Sequence, residues 1–187
     1  MKPYKVVVMC HANRFRSPLA HGFLQQACAA EGLYKPEVLV DIHSAGFRPD
    51  DGRKAGKPVR EAALQQGFSL DNHRSQLATN VLLKDADLVL YMDGGNFDRL
   101  CKVTNIRNCN HHCLGKWCHP ERTRIEDLAF ISPYTKPDKF AEVVAYIRDA
   151  CYTVVKDVIA PAARKRQAGI EPPTGTFRDA FRETEQQ

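Results

Sequence analysis

An apolar run, Val6-Val7-Val8-Met9, feeds into Cys10-His11-Ala12-Asn13-Arg14-Phe15-Arg16-Ser17-Pro18, and a helix-like stretch follows. No other feature constrains the fold of the chain as much. A strand, a tight loop and a helix in succession make an anion cradle. The loop N–H groups and the helix N-terminus point at one spot and favour negative charge there. Cys10 opens the loop and Arg16 closes it. A thiol held in such a field loses its proton readily and becomes a nucleophile, and a guanidinium grips two phosphate oxygens at once. Cysteine and arginine at this spacing arise by accident in an arginine-rich chain. The strand before them, Ser17 after Arg16, and Pro18 in the first helical turn give the spacing its meaning. A buried structural cysteine at a strand end would explain Cys10 and leave the rest of the loop unexplained. The loop therefore reads as cysteine chemistry on an oxyanion.

Composition fits one enzyme-sized domain. A chain of 187 residues with 43% apolar content can bury a core without metal or disulfide help. No apolar stretch approaches the length of a membrane span, and Met1-Lys2-Pro3-Tyr4 opens no signal-peptide core. The seven cysteines are odd in number and unpatterned, which suits a reducing, cytoplasmic setting. The net charge of +5 is mild. Much of the positive charge gathers near the loop, in Arg14, Arg16, Arg48, Arg53, Lys54, Lys57 and Arg60, as an anionic substrate would require. No aromatic–basic module points to nucleic acid.

Strands and helices alternate, which predicts a three-layer α/β fold: a four-stranded parallel sheet with helices on both faces. Strands are expected over residues 5–9, 38–43, 87–92 and 110–114. A helix over 18–30 carries an apolar stripe of Leu19, Phe23, Leu24 and Ala27 and ends at Gly32. A shorter helix over 58–66 opens with Pro58 and stops at Gly67, and a helical turn fits 80–85. The last helix begins near residue 138, with Phe140, Val143, Val144, Ile147, Cys151, Val154 and Val158 on one face. The domain is expected to span 1–160. Residues 161–187 carry Arg164-Lys165-Arg166, Pro172-Pro173 and few apolar anchors, and read as a flexible or loosely docked tail.

The loop resembles that of the low-molecular-weight protein tyrosine phosphatases, which reads Cys-x-x-Asn-x-x-Arg-Ser-Pro. Cys10, Asn13, Arg16, Ser17 and Pro18 all fit. Ser44-Ala45-Gly46, His73-Arg74-Ser75-Gln76-Leu77, Met92-Asp93-Gly94-Gly95-Asn96 and Leu114-Gly115-Lys116-Trp117 follow in the family's order. The resemblance implies a nucleophile at Cys10, a phosphate grip at Arg16, and a phosphate-binding loop built from His11, Ala12, Asn13, Arg14, Phe15 and Ser17. It also implies that Asn13 adopts a strained backbone held by Ser44 and His73, while Ser17 hydrogen-bonds the Cys10 sulfur. Asparagine tolerates positive φ better than most residues, so the assignment is physically sensible.

Two departures stand out. The family often places a second cysteine where this chain has Phe15, so rescue by a neighbouring thiol in the loop is absent here. Phe15 can pack on a substrate ring or bury itself beneath the loop. The family's general acid is the Asp of an Asp-Pro pair, and this chain has no such pair. Ile125-Glu126-Asp127-Leu128 keeps the acid, whereas Ser132-Pro133-Tyr134 keeps the proline and loses it. Serine does not readily release a proton at neutral pH, so Asp127 is preferred.

Cys109, His111, His112, Cys113, Cys118 and His119 include residue types that bind zinc, but at no standard spacing, and no metal ligand is assigned. The expectation is thus a cytoplasmic phosphomonoester hydrolase without cofactor or metal. Its substrate would be a phosphorylated protein or a small aryl phosphate. Two alternatives stand beside it. One is a thiol-dependent arsenate reductase using Cys101 and Cys109, as arsenate reductases of this fold do. The other is a phosphate-binding module that has lost its acid.

Overall fold

The computed structural model describes residues 2–48, 52–104, 110–118 and 124–170. Strand β1 (Tyr4–Cys10) leads through the loop into α1 (Arg16–Ala30), and β2 (Val40–Gly46) and α2 (Lys57–Gln65) follow. Next come α3 (Asn80–Lys84), β3 (Leu88–Tyr91), α4 (Gly94–Val103) and β4 (His111–Cys113). Short 3₁₀ turns at Leu114–Trp117 and Leu128–Phe130 precede the long α5 (Pro137–Val154).

The sheet has four parallel strands in the order β2-β1-β3-β4. Val6 to Met9 are fully buried because β1 is central and covered on both faces. Val6, Val8 and Cys10 join the core beneath α1, α2 and α5, while Val7 and Met9 join Leu83 of α3 and Leu100 of α4. That alternation is the pleat of a strand, and it makes the molecule three-layered. The chain leaves β1 for β2 on one side, then crosses to β3 on the other. Ligands of open α/β sheets bind at such a switch point, outside the carboxyl ends of the strands. Cys10 is the last residue of β1 and is aligned with Gly46, the last of β2.

The expected elements are present with shifted ends. Val38 is exposed, and β2 starts at Val40 and runs on to Gly46. The helix α4 was not expected, since two glycines in its first turn disguise it. Asp93 overrides them: its Oδ1 accepts from the Asn96 N–H at 2.7 Å and caps the helix.

The expected end of the domain at 160 falls inside a continuous helical stretch. The last helix passes through a π turn, Val155–Ile159, and continues as α6, Ala160–Gln167. Pro161 reads as a helix stop because it has no N–H and crowds the carbonyl four residues back. The π turn widens the backbone ahead of that proline and lets the helix proceed. Ala163 is buried, and Arg166 donates to both Asp87 oxygens at 2.7 and 2.6 Å while lying over the Tyr4 ring. The same Asp87 accepts from the Lys5 N–H at 2.8 Å, so α6 is tied to the start of the central strand. The rest of the expected tail, 171–187, lies outside the described residues.

Arg166→Ala should therefore destabilise the fold by about 1–2 kcal/mol, the range for a partly buried charge-assisted pair. The urea midpoint measures this.

Candidate active site

The loop after β1 is held by hydrogen bonds that leave its amides free. Asn13 is fully buried and has φ +51°, the only positive φ outside glycine among the described residues. Its side-chain Nδ2 donates to Ser17 Oγ at 2.9 Å and to Ser44 Oγ at 3.0 Å. Its Oδ1 accepts from the Gln76 N–H at 3.0 Å, and its backbone oxygen lies 2.8 Å from His73 Nε2. The acceptor is a carbonyl, so Nε2 is the protonated ring nitrogen. The His11 carbonyl accepts from the N–H groups of Phe47 and Arg48 at 2.8 and 3.1 Å. With the carbonyls turned outward, the N–H groups of residues 12–15 donate to no group among the described residues. Unpaired backbone donors curled round one point form an anion nest. Cys10 lies at its base, and the Ser17 hydroxyl donates to Cys10 Sγ at 3.0 Å.

Arg16 closes the nest. Its guanidinium is 2% exposed, so its charge is met from two other segments. Nη1 donates to Asp93 Oδ2 at 2.5 Å and to the Ile125 carbonyl at 2.9 Å. Nη2 donates to Asp127 Oδ2 at 2.8 Å. Nε is buried and has no partner among the described residues. A cavity of about 350 Å³ opens over this group, walled by Arg16, Asp93, Asp127 and Phe130 among others. The arrangement can hold a tetrahedral anion over a sulfur nucleophile, with a carboxyl group beside it.

Comparison with known proteins decides the family. Residues 5–168 match the family model described as low molecular weight phosphotyrosine protein phosphatase. The chain belongs to the low molecular weight phosphotyrosine protein phosphatase family. The low molecular weight protein-tyrosine-phosphatase Wzb of Escherichia coli K12 is 28% identical over 140 residues, covering 73% of this chain and 89% of Wzb. The crystal structure of the Erwinia amylovora tyrosine phosphatase AmsI superposes with a TM-score of 0.68 at 26% identity, covering 83% of this chain and 93% of AmsI. YfkJ from Bacillus subtilis superposes with a TM-score of 0.73 at 21% identity, covering 84% and 96%, and shares the fold.

All eleven residues singled out from this phosphatase's sequence fall in or against the loop. His11, Ala12, Arg14 and Phe15 form its walls, with Arg14 Nε donating to the Lys54 carbonyl at 3.3 Å. Phe15 packs against the core beside Gly56, where an added Cβ would come within 2.6 Å of the ring. It is thus partly buried against the core. Asp127 touches Arg16, whereas Ser132 is absent from the cavity wall and its Oγ accepts from the Tyr134 N–H at 3.2 Å.

Sequence reasoning gave no role to Asp93 or Gln76. Both lie in quoted family motifs, and Asp93 had one further signal, a capping residue directly after the third strand. His111 and His112 of β4 pack against aromatic rings, with His112 Nε2 3.0 Å from Asn110 Oδ1. Among the described residues no group of three or more His, Cys, Asp or Glu side chains is placed to hold a metal ion. Cys109 and His119 lie outside those residues. Cys101 is exposed on α4. Burial pushes the Cys28 thiol up to about 12, so that sulfur stays protonated and inert.

Gly46 allows the loop to approach β2. A Cβ there would sit 2.6 Å from the Asn13 nitrogen and 2.8 Å from the Ala12 carbonyl carbon, both backbone atoms. Gly46→Ala should cost about 1–3 kcal/mol of stability, as overpacking does. It should also lower kcat at least tenfold, read by thermal melts and a phosphatase assay (~10-fold for a misplaced loop).

Histidines behind the loop set an acid limit on stability. Burial chiefly lowers His21 to about 4, helped by His73 and His43. Burial also lowers His73, against the pull of its bond to Asn13 and with help from Arg74. In the unfolded chain His21 titrates near the ordinary 6.5. Between those values the unfolded state binds more protons, so stability falls as pH drops from about 6.5 towards 4. The loss from His21 should approach about 3 kcal/mol, and His21→Leu should flatten the pH dependence of the urea midpoint.

Proposed function

We propose that the protein hydrolyses phosphotyrosine and related aryl phosphomonoesters through a cysteinyl-phosphate intermediate. One observation carries the reading: Cys10, whose Sγ accepts from the Ser17 hydroxyl, opens a loop in which the N–H groups of residues 12–15, and the Nε of the buried Arg16 that closes it, have no partner among the described residues. Such donors demand an oxyanion, and a phosphoryl group supplies three equatorial oxygens.

In this reaction Cys10 attacks phosphorus in line with the leaving oxygen, and the S–P bond forms as the P–O bond breaks. The loop amides and Arg16 hold the equatorial oxygens and match their growing charge. Asp127 gives a proton to the departing phenolate. It then takes one from the water that attacks the cysteinyl phosphate, which releases inorganic phosphate and restores the thiolate. Ser17 donates to the sulfur when it carries charge, making it a better leaving group in this second step. No cofactor enters the scheme.

We place the enzyme in the reducing cytoplasm. Six cysteines are free among the described residues, and among those residues no helix is long and apolar enough to cross a membrane.

Cys10→Ser should abolish hydrolysis of p-nitrophenyl phosphate and of phosphotyrosine. Asp127→Asn should slow phosphotyrosine hydrolysis by roughly 10²–10⁴-fold, the contribution of a positioned general acid, and Ser132→Ala should change it little. Steady-state kinetics on both substrates give these values. Thiol-coupled arsenate turnover that is lost in Cys101→Ser would instead identify a reductase.

A further inference from the structure

A second cavity, of about 460 Å³, lies beside the cradle and has no part in the reaction described above. It is walled by Phe47 and by Gly95, Asp98, Arg99, Lys102 and Val103 of α4. Two features bind it to the cradle. Phe47 and Arg48 are strapped to the loop through the His11 carbonyl, and α4 is capped by the same Asp93 that holds Arg16. Arg99 and Lys102 are exposed, and neither has an ion-pair partner among the described residues. Asp98 subtracts one charge from this wall, and Arg48, next to Phe47 in sequence, is not part of it.

The two arginines also act on the mouth itself. His11 is lowered by burial first, then by Arg99, then by Arg48, with Asp127 opposing and Arg16 adding to the effect. The charge of Arg99 on α4 is thus felt at His11 in the loop. Arg99 lies six residues along α4 from the cap at Asp93, about 9 Å of helix rise. An extended peptide covers that distance in two to three residues, at about 3.3–3.6 Å each.

We propose that this cavity is a subsite for acidic residues two or three positions from the phosphotyrosine of a protein substrate, with Arg99 and Lys102 as its specificity-determining side chains. The inference rests on the phosphatase reading and names the substrate class: phosphotyrosine in an acidic stretch of chain. Phe47 supplies an apolar wall for the stems of Glu side chains, and the cations meet their carboxylates. A small aryl phosphate never reaches this cavity, so the discrimination appears only with peptides.

The test uses full-length Cys10→Ser protein and fluorescent phosphotyrosine peptides carrying Glu or Gln two and three positions away, with binding read by anisotropy. The Glu peptide should bind about three- to tenfold tighter at low salt, the sum of two exposed ion pairs. The ratio should shrink with added salt. In Arg99→Gln/Lys102→Gln on the same background it should fall to about one. Thermal melts check that this variant is folded, and both side chains are exposed enough for it to remain so.

Equal binding of the two peptides would overturn the subsite. So would a preference that survives the double substitution, or competition by single-stranded RNA as strong as that by the acidic peptide. The active wild type separates the two readings. Aryl phosphate hydrolysis without a peptide preference sinks the subsite alone. A preference in the Cys10→Ser protein without any hydrolysis by the wild type keeps the subsite and sinks the phosphatase reading.

Discussion

A guanidinium buried to 2% exposure is the constraint on which the site depends. Removing such a charge from water costs several kcal/mol unless neighbours meet it. Arg16 is met by Asp93 at the end of β3, by Asp127 in the segment before α5, and by the Ile125 carbonyl. Two stretches far apart in sequence are thereby drawn to the end of β1. Each has another attachment: Asp93 caps α4, Asp127 Oδ1 accepts from the Ala129 N–H, and the Ile125 N–H donates to the Met92 carbonyl. The arginine is fixed because its partners are fixed elsewhere, which is how a rigid second layer orients a reactive group.

Asn13 does for the loop backbone what Arg16 does for charge. A left-handed residue stays in place only when its surroundings over-determine it, and four hydrogen bonds reach Asn13 from three segments. Because its side chain is saturated by Ser17, Ser44 and Gln76, the chain turns its carbonyls outward and its amides inward. Cooperative networks of this kind lose more than one bond when one member is removed.

The parts legible in the sequence were those with short-range causes. The buried run Val6–Met9, the loop chemistry and the apolar face of α5 all follow from neighbours a few residues apart. What escaped was set by distant partners or by compensation. Helix α4 hides behind Gly94-Gly95 and exists because Asp93 caps it. Helix α6 survives Pro161 because a π turn absorbs the lost bond, and Arg166 finds Asp87 across 79 positions. The spread of Arg16's charge over Asp93 and Asp127 is likewise a tertiary fact. Sequence spacing named Asp127 on chemical grounds but held no information on which of its oxygens would face the arginine.

The missing Asp-Pro pair also has a physical answer. A proline after the acid would stiffen the backbone there. Here Asp127 is stiffened by its own carboxylate, with Oδ1 capping the 3₁₀ turn at Leu128–Phe130 and Oδ2 on Arg16. Both oxygens are therefore engaged before substrate arrives. A phosphoryl group that takes two guanidinium donors side by side uses Nε, which has no partner among the described residues, together with Nη2, which Asp127 holds. In the proposed reaction the anion displaces one carboxylate oxygen and leaves the other on the Ala129 N–H, so the acid is released without losing its position. Asp93 keeps Nη1 throughout, and the arginine does not swing as its second partner changes. Binding the phosphate and freeing the carboxylate, which must then take up the proton it donates, thus become a single exchange at one nitrogen. The site can then do without the rigid proline.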